Sequence, residues 1–404
     1  MTDQQQMLYD PFAPGFTDDP YPHYARVREL DPVHQHPLGF WLLTAYDDVA
    51  ALLRSGLSVD YHNLADGLIF RQQDELLGEN VGTPLNLALV DRDPPDHTRL
   101  RGLVSKVFTP RAIAALEPAI TELVDSSLDT MAERRRADLI ETLAFPVPFA
   151  VISTMLGLPE ADHVRVRELS GILVGRLEFA TSPERIRAIV AADRELTGIV
   201  RDLIRWKRAH PGDDLLSALI EAEVDGHTLT EDEVVAQVVL LYVSGHETTV
   251  NLIGNGVVAL LRHPDQLAAL RDRPELAGNA VEEILRYDTP VQQSRRITTS
   301  PCRVRDRAIP PGVLVIPCLG AANRDPGRFG PDADRLRIAR PEARAHVSFG
   351  AGRHHCLGAA LARLEGRIAI ERLTQRFPGL AQDGEITWNG RVNLRGAQAV
   401  PVLV

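Results

Sequence analysis

Hydrophobic residues recur at three- and four-residue intervals along most of this chain, the spacing that lines one face of an α-helix. "DPYPHYARVREL" predicts a first helix, and "GFWLLTAY" predicts a strand that leads into the helix "DDVAALLRS". Residues 58–92 show little periodicity and read as a long loop, the kind of segment that carries function or moves. "PPDHTRLRGLVSKVF" opens with prolines where a first helical turn tolerates them. Amphipathic segments continue from Pro110 to Arg208. From Val291 to Ile316 the pattern shortens to β-type runs such as "CRVRD" and "VLVIPCL", and a second β set closes the chain in "ITWNGRVNLRGAQAVPVLV". The pattern predicts a mainly α protein with small β-sheets. No repeat, low-complexity tract or change of composition divides it, so residues 1–404 read as a single domain with a flexible start.

The strongest helical signal is "LTEDEVVAQVVLLYVSGHETTVNLIGNGVVALLRHP". Thr230 is its N-cap, Glu233 completes a capping box, and Leu229 and Val234 sit where a hydrophobic staple would. Pro264 ends the run. A helix from Glu231 to His263 would be roughly 50 Å long at 1.5 Å per residue, enough to cross the core. Its middle reads "SGHETT", and Ser244, Gly245, Thr248 and Thr249 are poor mid-helix residues. One reading is a polar kink tolerated by packing. The other is a helix opened beside a ligand. There Gly245 admits a close approach, Thr248 bonds a carbonyl or a small ligand, and Glu247 moves protons.

A net charge of −11 disfavours a nucleic-acid partner. The basic residues are almost all arginine, Lys106 and Lys207 being the exceptions. The cysteines Cys302, Cys318 and Cys356 match no zinc spacing and are too few for a disulfide scaffold, which suggests a reducing compartment. The N-terminal stretch has no apolar core of a signal peptide. The longest apolar run, Val234 to Val243, is too short to span a bilayer. A cytoplasmic protein with no membrane segment is expected.

Cys356 stands apart. It lies in "SFGAGRHHCLGAALARLEGR", after Gly350 and Gly352 and just before a helix. It reads as a small buried residue, a nucleophile or a metal ligand. A helix N-terminus favours the thiolate and lowers a thiol's pKa. Gly358, one turn on, leaves room for a flat body. "EEILR" puts Glu283 and Arg286 on one helix face as an ion pair. "HTRLR" puts the cations His97 and Arg101 on one face, which is wasteful unless an anion meets them. His34, His36 and His62 read as surface or loop residues, and Cys302 and Cys318 as packing residues.

With "HTRLR", "SGHETT", "EILR" and "FGAGRHHCLG" following one another along the chain, it resembles the cytochrome P450 family over essentially its whole length. The cysteine loop fits the family pattern at Phe349, Gly352, His354, Cys356 and Gly358. The resemblance implies haem b held between the central helix and the cysteine helix, with Cys356 as the iron ligand. It implies that His97, Arg101, Arg296 and His354 hold the propionates, Arg296 being preferred to Arg295. Gly245, Gly350 and Gly358 border the haem, and Phe349 packs beside the thiolate. Glu247 and Thr248 match the acid–alcohol pair that delivers protons to O2. Glu283 and Arg286 match a structural pair, joined by Arg335. Ser244 and His355 depart from the usual pattern, Ala or Gly being common at the first and an apolar residue at the second.

The implied activity is a monooxygenase acting on an apolar organic substrate, with a ferredoxin and its ferredoxin reductase as electron donors. By position, Leu241, Ser244, Val291, Gln292 and Val392 line the substrate site, with the 62–90 loop and the helices near 165–190. Arg353, Arg363 and Arg367 form the expected ferredoxin surface, unless the last two pair with Glu365 and Glu371. A zinc module using His346, His354, His355 and Cys356 has the wrong spacing for a tetrahedral site. A Cys–His hydrolase leaves "SGHETT" unexplained. A haem gas sensor or carrier has no need of Glu247 and Thr248.

Overall fold

The computed structural model describes residues 7–65, 87–178, 182–224 and 226–404. Helices dominate, and those expected near the start form at Tyr21–Leu30, Tyr46–Arg54 and Asp96–Ser105. Residues 66–86, most of the expected long loop, lie outside the described residues. Its flanks close as 3-10 turns at Tyr61–Asn63 and Leu89–Asp91.

One four-stranded sheet has the order Val33–Gln35, Trp41–Leu43, Leu314–Pro317, Arg296–Ile297. Trp41–Leu43 runs parallel to Leu314–Pro317, with Trp41 opposite Val315, and the other pairs are antiparallel. This sheet carries Arg296 and the residues before it to the wall of the central cavity. His36 lies in the loop after the first strand, within the surface-or-loop expectation, but is buried there. Its ring stacks on Phe40 at 4.3 Å and its Nε2 lies 3.1 Å from the Tyr9 carbonyl. A second sheet places Pro401–Leu403 between Ala381–Gln382 and Arg136–Asp138.

The central helix forms as two pieces, Glu231–Gly245 and Glu247–Arg262, rather than one continuous rod. The capping box of Thr230 and Glu233 is present, so the start is set locally as the sequence predicts. The break falls at His246, and hydroxyls account for it. Ser244 Oγ donates to the Leu240 carbonyl at 2.6 Å, and Thr248 Oγ1 donates to the Ser244 carbonyl at 2.8 Å. Side chains that bond back one turn compete with the ladder and bend a helix.

The helix Ala359–Arg376 packs against Glu117–Arg134, Ala277–Tyr287 and Glu247–Arg262. In Ala277–Tyr287 the pair Glu283–Arg286 is fully buried, with Arg286 Nε and Nη2 donating to the two carboxylate oxygens at 2.7 and 2.8 Å. The third side chain is Arg340, not Arg335. Arg340 Nε lies 3.1 Å from Glu283 Oε1, whereas Arg335 offers only its backbone carbonyl to Arg286. Burial alternates here. Leu336, Ile338 and Arg340 point inward, and Arg335 and Arg337 point out. A buried ion pair is tolerable only when its remaining hydrogen-bonding capacity is used, and Arg286 donates further to the Asn323 and Ala333 carbonyls.

Candidate active site

The loop that presents Cys356 needs its glycines. Gly350 and Gly352 have φ of 66° and 71°. A Cβ on Gly352 would lie 2.9 Å from the Leu53 carbonyl oxygen, so this loop presses directly on the helix Tyr46–Arg54. Cys356 N–H donates to the Phe349 carbonyl at 2.9 Å, which closes the loop around the sulfur. Cys356 is accessible, yet protein surrounds it closely. Its loop reaches the central cavity at His354, two residues away. Its thiol pKa is raised by burial, which outweighs the Gly358 N–H and the charge of Arg101. The depressed value expected from helix position alone is therefore not found. Gly358 has open space where a Cβ would be. Phe349 lies beside the loop under the Arg363 guanidinium, 4.5 Å from its ring, and His355 is exposed with its ring 6.4 Å from Phe349.

Four basic side chains, two histidines and two arginines, gather near the cysteine loop. The His97 and His354 rings sit 4.2 Å apart, and each has a buried Nε2 with no partner. Burial, then the neighbouring cations, lower the pKa of both, that of His354 to about 3. Arg296 is buried and donates only to backbone carbonyls, of Arg295 at 2.6 Å and Leu53 at 3.0 Å. Its pKa falls to about 10 through burial and then the charge of Arg295 and Arg353. Arg101 is also lowered by burial. Arg295, the rejected neighbour, pairs with Asp91 and lies over the Tyr61 ring at 4.2 Å. Orphaned ring nitrogens among crowded cations are costly. An anionic group seated there would relieve them, so these residues fit the carboxylates of a haem. Arg99, on another face of the same helix, is tied to Glu233 of the capping box.

Above this cluster lies a cavity of about 380 Å³, bordered by Ser244, Thr248, Val291, Arg296 and His354. Three expected lining residues point elsewhere. Leu240 lines the cavity in place of Leu241, because Leu240, Ser244 and Thr248 share one helix face at four-residue spacing. Gln293 lines it in place of Gln292, by the alternation that starts from Val291. Gln292 is buried instead, donating to the Thr289 carbonyl at 2.7 Å. Asn393 and Leu394 line it in place of Val392, which packs into the cluster around Tyr9 and Phe16. Gly245 faces away too. A Cβ there would meet Ile152 of the helix Pro146–Leu156 at 3.4 Å. Leu240 and Gln293 were recoverable from period alone.

Two further residues carry no sequence signal. Arg391 Nη1 lies 2.5 Å from Glu247 Oε1, so the acid of the central helix is held by a loop near the C-terminus. Glu178 accepts the backbone N–H groups of Val392, Asn393 and Leu394 at 2.8, 3.1 and 2.9 Å. The zinc reading fails on placement, since His346 Nε2 is 3.0 Å from Glu282 and His354 faces His97. Among the described residues no helix is long and apolar enough to cross a membrane.

A family model described as "Cytochrome P450" matches residues 201–273 and 274–387. The chain is 44% identical over 401 residues to cytochrome P450 107B1 of Saccharopolyspora erythraea, covering 97% of this chain and 96% of that one. It is 42% identical to the cytochrome P450 monooxygenase PikC of Streptomyces venezuelae, over 96% of this chain and 91% of the relative. The crystal structure of the myxobacterial cytochrome P450 CYP267B1 with myristic acid matches with a TM-score of 0.89 and 39% identity, over 97% of this chain and 98% of that one. Fold, motifs and relatives agree, and the chain belongs to the cytochrome P450 family as a monooxygenase.

Proposed function

We propose that this protein inserts one oxygen atom of O2 into an apolar organic substrate held above a haem b ligated by Cys356. The observation that carries the reading is one cavity bordered by Thr248, Arg296 and His354, with the unpartnered His97 nitrogen beside His354 and Cys356 two residues from His354 on the same loop. His97, Arg101, Arg296 and His354 hold the propionates, and Phe349, Gly350 and Gly358 shape the loop around the sulfur. A thiolate-ligated haem supplies the activation of dioxygen and the oxidation of the substrate.

The chain's own groups manage protons and water. Thr248 Oγ1 faces the cavity and keeps its proton on the Ser244 carbonyl. Glu247 carries protons inward to Thr248 Oγ1, and its contact with Arg391, whose side chain is 21% exposed, leads that route toward solvent. The Ser244 hydroxyl is held by the Leu240 carbonyl, which keeps it from competing as a donor. Leu173, Leu240, Val243, Val291 and Leu394 exclude water and accept an apolar substrate body. The myristic acid bound by the myxobacterial relative supports a long apolar body.

Electrons come from a ferredoxin and its reductase. Arg353 is exposed at the cysteine loop, and Arg367 stays one-third exposed beside Glu117 and Glu371. Arg363 contributes less field than expected, because Glu282 neutralises it at 2.7 Å.

The test is spectroscopic. Reduced protein with carbon monoxide gives the red-shifted band of thiolate ligation, and Cys356→Ala removes it while Cys302→Ala and Cys318→Ala keep it. Loss of the band in either of the latter variants alone overturns the assignment.

A further inference from the structure

Among the described residues, the charged side chains around the cavity are accounted for with one exception. Asp91 pairs with Arg295, and Asp60 with His62 at 2.6 Å. Both oxygens of Glu178 are taken by the Val392, Asn393 and Leu394 amides. Arg296 and His354 belong to the propionate cluster. Arg176 remains. It lines the cavity from the short turn Val174–Leu177, is half-buried, and has no hydrogen-bond or ion-pair partner. The side chains next to it on that wall, Leu173 and Leu177, are apolar.

A half-buried guanidinium without an acceptor forfeits hydration and gains nothing in return. Its planar fork of donors matches a carboxylate. We propose that Arg176 anchors the carboxylate of a long-chain apolar acid and so defines the substrate class of this site. The proposal rests on the monooxygenase reading of the cavity and deepens it. Arg176 neighbours Leu177, which is 38% exposed, so the anchor stands at the mouth and the head group keeps part of its hydration. The chain of the acid then runs inward along Leu173, Val243 and Leu394 toward Thr248. Glu178 forms no ion pair with Arg176, its carboxylate oxygens being turned to the 392–394 amides. These contacts brace the turn that carries Arg176 against the loop near the C-terminus.

The experiment compares myristate, tetradecanol and methyl myristate as ligands of the haem-loaded protein, by optical difference titration and by equilibrium dialysis. Wild type should bind myristate at least about tenfold more tightly than tetradecanol or the ester, the equivalent of ~1.4 kcal/mol. Arg176→Gln should erase that preference and leave tetradecanol binding unchanged, and Arg176→Lys should restore part of it. Equal binding of acid and alcohol by wild type overturns the proposal. So does an Arg176→Gln variant that weakens both equally, since that marks a lining role only, and so does no binding of myristate in dialysis. The carbon monoxide band reports the parent reading separately. If it persists while the preference is absent, the anchor alone fails.

Discussion

Glu365 offers the sharpest physical test of the fold. It lies on the helix Ala359–Arg376 at 1% exposure, and its Oε2 has no hydrogen-bond partner. Burial alone raises its pKa from 4.5 to about 8. A carboxyl raised in the folded state binds its proton more tightly there than in the unfolded chain. Stability is therefore fully present below about pH 4.5 and is lost as pH rises through about 8. Between pH 6 and pH 8 the folded protein stays largely protonated while the unfolded chain is ionised, and the loss amounts to about 2 kcal/mol. Glu365→Gln keeps the shape and cannot ionise. Equilibrium urea unfolding of both proteins across this range should show the wild type losing that amount relative to the variant. The buried histidines His97 and His246 have lowered pKa values and act in the opposite sense. They are common to both proteins, so the difference isolates Glu365. Parallel pH profiles would refute the reasoning, and would mean that Glu365 reaches water or a proton donor inside the fold.

Three further outcomes are expected. Arg340→Leu strips a partner from the buried Glu283 and should cost about 3–5 kcal/mol in urea unfolding, whereas Arg335→Ala should cost little; the reverse order would restore Arg335 to the network. Thr248→Ala should retain haem and substrate binding but divert reducing equivalents to peroxide, measured as product formed per NADPH consumed; unchanged coupling would give the proton role to another group. Arg367→Glu should slow reduction by an acidic ferredoxin, with the defect shrinking as salt screens the contact, while dithionite reduction is unaffected; an unaltered ferredoxin rate would place the docking surface elsewhere.

Much of the fold and the site was legible in the sequence, and particular residues show why. Thr230 and Glu233 are three residues apart and cap the central helix as read. "SGHETT" opened that helix where its hydroxyls compete with the ladder. The loop around Cys356 formed from glycines that only a left-handed backbone requires. Where period was misjudged by one residue, at Leu241 and Gln292, the side chain turned away from the cavity, since a slip of one position reverses a strand face and rotates a helix by about 100°. The thiol of Cys356 was misread for another reason. Helix position argues for a lowered pKa, but burial opposes it, and burial depends on everything packed around the loop.

Local order thus followed from spacing, because residues within one or two turns meet whatever the rest of the chain does. Distant partners did not. Arg391 reaches Glu247 across 144 positions, and Glu178 clamps Val392 across 214. Arg340 displaced Arg335 only because burial alternates along that segment. Sequence spacing places such groups on a face of their own element. Which face meets which is settled when the helices pack and buried charges take the partners within reach. The lone guanidinium of Arg176 is visible only after the other charges around the cavity have been assigned to ion pairs, to the backbone clamp of Glu178 or to the cluster around Arg296 and His354.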